Sequence, residues 1–124
     1  MTKNFLLSEF RSKDGSNTPP PVVNNLIRLA ENLEALRAHF GRPISINSGY
    51  RSPVHNEKVG GSKNSQHLTG KAADIVIKDT HPDQVADAIE TLIAEGKMSE
   101  GGLGRYKSFT HYDIRGTKAR WDFR

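Results

Sequence analysis

The 124-residue sequence contains no cysteine. That excludes a disulfide framework, a thiolate metal site and a cysteine nucleophile. Any metal must be held by His, Asp or Glu. The absence fits reducing and oxidising compartments alike. No apolar run approaches the ~20 residues that a membrane span needs, so no membrane partner is expected. Within Met1 to Phe10 only Phe5-Leu6-Leu7 is continuously apolar. This is shorter than the core of a signal peptide. The chain as read is expected to be cytoplasmic at synthesis, or already processed.

Aromatic residues make up only 7% of the chain, and no dense Lys/Arg run or recognised nucleic-acid motif is present. The net charge of +4 and pI near 9.5 favour anionic partners. Without such motifs a nucleic-acid partner is not expected. An anionic cell wall suits the same charge. Arg115, Lys118, Arg120 and Arg124 are the nearest approach to a basic cluster and read as a solvated or substrate-facing surface.

With 35% hydrophobic residues, the chain suits one ordinary globular domain spanning 1–124, expected to be monomeric. Thr18 and three following prolines read as a helix start. Val22, Leu26, Leu29, Leu33, Leu36 and Phe40 then recur at helical spacing over about five turns. Gly41 and Pro43 stop that helix. Ile44 to Asn47 alternates as a strand. Residues 48–70 carry little apolar content and several glycines, which predicts a long functional loop. Ala72 to Ile77 reads as a second strand. Thr80 is the expected cap of a second helix with Val85, Ala88, Ile89, Leu92 and Ile93 inward. Phe109 to Ile114 reads as a strand, paired in a hairpin with the segment from Gly104. Trp121 and Phe123 in the tail are expected to pack back on the body. The class is therefore α+β.

Five histidines are the metal-capable residues. His39 and His81 read as surface or capping residues. His55, His67 and His111 lie in the loop or on strands, where functional side chains concentrate. Asp74 interrupts an apolar strand, which implies either a compensating metal or an edge position in water. Strand periodicity puts Phe109, His111 and Asp113 on one face. His111 and Asp113 then form either a structural pair or part of a metal centre. Joined to His67 and Asp74, His111 would complete a two-His, one-carboxylate site with a fourth position open for water.

The run Ser65-Gln66-His67-Leu68-Thr69-Gly70-Lys71-Ala72-Ala73-Asp74 fits Ser-x-His-x-x-Gly-x-Ala-x-Asp, five fixed residues across ten positions. Upstream stand Ser48-Gly49-Tyr50-Arg51-Ser52-Pro53 and His55-Asn56, then Gly60-Gly61-Ser62. Downstream stands His111-Tyr112-Asp113-Ile114-Arg115-Gly116. In these segments the chain resembles the zinc D-Ala-D-Ala carboxypeptidase family, in its small single-domain, endolysin-like branch, over about Leu7 to Trp121. The resemblance implies a compact fold shared with the hedgehog signalling domain, with a small antiparallel sheet and helices on one side. It implies cleavage of D-amino-acid-containing peptides of peptidoglycan, as carboxypeptidase or endopeptidase.

It further implies one Zn2+ held by His67, Asp74 and His111, with Arg51 binding substrate or polarising the scissile carbonyl. Tyr50, Ser65 and Gln66 are expected at the substrate. Many relatives carry an acidic general base three residues before the last zinc histidine. Here that position is Ser108. Asp113 is the expected substitute and His55 the second candidate. The missing acid also admits a non-catalytic zinc module that binds cell wall or a partner.

Overall fold

The computed structural model describes all residues from Met1 to Arg124. Helix α1 spans Pro20–Phe40, its first turn pre-set by proline, and Gly41 closes it in the left-handed conformation. Its apolar stripe, Val22, Leu26, Leu29, Leu33 and Leu36, is buried. Strand β1 covers Ile44–Ser48. The segment expected to be structureless contains helix α2, Pro53–Lys58, and a single 3-10 turn, Gln66–Thr69. Both are too short to show a period, and side-chain caps define them instead: Ser52 Oγ accepts from His55 N, and Ser65 Oγ from His67 N.

Strand β2, Ala72–Ile77, leads to helix α3, Pro82–Ala94. His81, not Thr80, caps α3. Its Nδ1 accepts from Asp83 N at 3.1 Å, so the ring nitrogen takes the place of a hydroxyl oxygen. Strands β3, Gly102–Arg105, and β4, Thr110–Asp113, form the expected hairpin, and β5, Ala119–Asp122, ends the fold.

The sheet order is β1-β2-β4-β3-β5. The first four strands pair antiparallel, but β5 runs parallel to β3. The sheet is therefore mixed, not wholly antiparallel as expected. Both edges of β4 are already paired, with β2 and β3, so the chain crosses over to the free edge of β3.

Alternation divides the sheet into two faces. Ile75, Ile77, Leu103 and Tyr112 join the core with the inward residues of α1 and α3. Tyr112 Oη donates to Ser99 O at 2.7 Å, and Thr110 Oγ1 donates to Pro82 O at 3.0 Å, tying β4 to the helical layer. Asp74, His111 and Asp113 alternate with those core residues along β2 and β4, and so fall on the other face.

Candidate metal centre

One rung crosses the whole sheet. Ser48 on β1 pairs with Asp74 on β2, Asp74 with His111 on β4, His111 with Gly104 on β3, and Gly104 with Trp121 on β5. An irregularity in β1 between Ile46 and Ser48 brings Ser48 opposite Asp74. His67 arrives from the 3-10 turn before β2. Gly70, at φ +75°, ends that turn, and a Cβ there would stand 2.7 Å from Val22 Cγ1. Only glycine meets both demands.

His67, Asp74 and His111 are all buried and offer three ligand atoms within 4.8 Å of one another. Asp74 Oδ1 lies 3.3 Å from His67 Nε2 and 3.0 Å from His111 Nδ1. The remaining ring nitrogens are also engaged. His67 Nδ1 is 2.7 Å from the Gly49 carbonyl, and His111 Nε2 is 2.7 Å from Asp113 Oδ2. A carbonyl and a carboxylate accept only, so each of these nitrogens carries the proton. That leaves His67 Nε2 and His111 Nδ1 facing the shared Asp74 oxygen: protonated they donate to it, and deprotonated they are the lone pairs a metal would take. Two imidazoles with fixed tautomers and one carboxylate suit zinc with an open fourth position.

The charges agree with this geometry. Burial pushes the Asp74 carboxyl upward, but hydrogen bonds from His111 and His67 outweigh it and hold the group well below its ordinary range. Burial pushes His111 downward, and its bonds to Asp113 and Asp74 outweigh that and raise it. Arg51 Nη2 lies 3.4 Å from Asp74 Oδ2, while its Nε donates to Ser48 Oγ at 3.1 Å and its Nη1 to Asn56 Oδ1 at 3.4 Å.

A cavity of about 470 Å³ opens over the three donors. Arg51, Ser65 and Gln66 line it, as expected from the sequence, together with Asn64, Arg115 and an aromatic group of Tyr106, Phe109 and Trp121. Tyr106 and Phe109 stack at 4.2 Å between centroids.

Two expectations are corrected. Tyr50 is not at the cavity: it is 5% exposed and part of the core. Asp113 does not face the cavity as a free base. It is 0% exposed, and its oxygens accept from Gly102 N, His111 Nε2 and Arg115 N, Nε and Nη2. Those bonds outweigh the upward push of burial and hold its carboxyl well below the ordinary range. Its geometry is that of a group orienting His111. His55, the second candidate base, is also absent from the lining, and Ser108 is exposed on the β3–β4 turn. Sequence reasoning missed Trp121 as a site residue, because a four-residue edge strand has no period of its own.

The family model described as Peptidase M15 matches residues 2–113. The chain belongs to the peptidase M15 family. The zinc D-Ala-D-Ala carboxypeptidase of Streptomyces albus G is 48% identical over 44 residues, which is 35% of this chain. The match spans only 17% of that relative's length. Among solved structures, the Serratia marcescens L-Ala D-Glu endopeptidase ChiX is similar at a TM-score of 0.53 and 22% identity, over 77% of this chain and 86% of its own. That likeness shows a common fold, in agreement with the α+β expectation.

Proposed function

We propose that this M15 peptidase is a zinc metallopeptidase hydrolysing D-amino-acid-containing peptide bonds of bacterial peptidoglycan. The observation that carries the reading is the convergence of His67 Nε2, Asp74 Oδ1 and His111 Nδ1 at the floor of an open cavity. Both similar proteins bear names of peptidases acting on D-amino-acid-containing bonds. His67, Asp74 and His111 would hold the zinc. Bound zinc supplies Lewis acidity and an activated water at neutral pH.

The chain's own residues set the rest. Arg51 restrains the second oxygen of Asp74 and presents fixed positive charge where the scissile carbonyl gains negative charge. Ser65 and Gln66 sit at the cavity edge as hydrogen-bonding groups for the peptide. Asp113 holds the proton on His111 Nε2 and so keeps Nδ1 free as a ligand. All three donors come from one chain, so the site needs no residue from a second copy.

A second reading, a zinc module without turnover, is favoured by one observation. Asp74 is the sole carboxylate among the 13 lining residues, so no further acid stands ready to move a proton. Mass spectrometry of purified peptidoglycan treated with zinc-loaded protein, beside His67→Ala, decides between them. Products seen only with the wild type establish the peptidase, and their masses name the bond. Zinc binding with no product from several wall chemistries establishes the module.

A further inference from the structure

The family match ends at residue 113, yet the rung that carries the ligands ends at Trp121. We propose that β5 completes the metal centre and that Trp121 is a positioning residue for His111. The inference rests on the metal-binding part of the reading above, not on peptide cleavage.

Gly104 lies between His111 and Trp121 in the rung. A Cβ on Gly104 would stand 2.3 Å from Trp121 Nε1 and 2.5 Å from Cε2, so the indole occupies the space that only glycine leaves open. Across that gap the Trp121 and His111 rings approach to 4.9 Å between centroids. His111 is then held on three sides: Asp74 at Nδ1, Asp113 at Nε2 and the indole against its ring. The two hydrogen bonds still allow the imidazole to rock about the line joining its nitrogens. The rigid indole, tilted 51° to the imidazole and in contact with it, opposes that motion.

The indole is itself fixed. Trp121 Nε1 donates to Tyr106 Oη at 2.8 Å, and the Arg115 guanidinium carbon lies 5.4 Å from the ring centre. The neighbouring Arg120 is clamped to Glu90 and Glu100, both at 2.9 Å, and donates to Gly101 O at 2.7 Å. Arg124 Nη1 reaches Asp83 Oδ1 at 2.9 Å. An edge strand of four residues is thereby tied to α3 and to the segment before β3 as well as to β3 itself.

The test is zinc affinity, measured by competition with a chromogenic chelator, for the wild type, Trp121→Ala and Trp121→Phe. Trp121→Ala is expected to weaken zinc binding about tenfold or more, the range seen when groups behind a ligand are removed. Trp121→Phe keeps a flat ring and is expected to restore most of the affinity. Wild-type affinity in Trp121→Ala, or equal losses in both variants, overturns the proposal. Should Trp121→Ala fail to fold, Trp121→Leu against Trp121→Phe carries the same comparison, a bulky side chain without a flat face against one with it. The titration uses no substrate. A wild type that binds zinc but cleaves nothing refutes the peptidase and leaves the role of Trp121 intact.

Discussion

Asp113 Oδ2 sits 2.7 Å from His111 Nε2 and the same distance from Arg115 Nη2, so one buried carboxylate oxygen serves an imidazole and a guanidinium together. Asp113→Asn replaces an acceptor-only group by one that can present N–H to His111. Zinc affinity is expected to fall about tenfold or more, as for other groups that orient a metal-bound histidine. Chelator competition measures it. Unchanged zinc affinity with lost turnover would instead make Asp113 a proton carrier.

Arg51 is held by Ser48, Asn56 and Asp74 in a fork that a lysine cannot reproduce. Arg51→Lys is expected to lower kcat/KM about 100-fold, the scale of losing one donor to a developing oxyanion, with zinc affinity changed only a few-fold. Steady-state kinetics on a released stem peptide, beside the zinc titration, checks both halves.

Trp121 is the only tryptophan in the chain and packs against His111, one of the three proposed metal ligands. Its emission should therefore report the metal directly. An open-shell ion such as Co2+ is expected to quench it with one-to-one stoichiometry, and His67→Ala should abolish the saturable part of the quench. An unchanged emission at full Co2+ occupancy would show that the metal lies elsewhere.

The metal-free site has a defined pH response. His111 is raised, so its contribution to stability is complete below its unfolded value of about 6.5 and is lost as pH rises through its folded value. Asp74 is lowered, so its contribution is present above about 3.9 and is lost as pH falls toward its folded value. The metal-free protein should be most stable between those limits. Zinc must displace the proton that His111 Nδ1 shares with Asp74, so binding should release about one proton and tighten as pH rises. Calorimetric titration in two buffers of different ionisation heat counts the protons. A count of zero would mean that His111 is already neutral.

Much of this is legible in the amino-acid sequence. The stripe of α1, the apolar runs of β2 and α3, and the His67–Asp74–His111 set follow from period and motif. Alternation also put His111 and Asp113 on one face, which they share. It could not say that Asp113 is saturated, because Gly102 N and Arg115 reach it from outside the strand. Tyr50 sits beside Arg51 in the motif, yet Arg51 faces the cavity and Tyr50 the core. Neighbours in sequence diverge where the chain is neither helix nor strand. The parallel pairing of β5 had no local signal, since it depends on β3 being left with a free edge once β2 and β3 have flanked β4.

The rung from Ser48 to Trp121 makes the metal a check on how the sheet is threaded. Side chains along a strand change face at every residue, so a slip by one position in β2 or β4 would send Asp74 or His111 into the helical layer. Only the correctly aligned sheet sets the two directly opposite each other within reach of His67. Metal binding thus selects a single alignment of at least two strands. A slip by two positions would keep the apolar face inward and still part Asp74 from His111, leaving the chain unable to hold the ion.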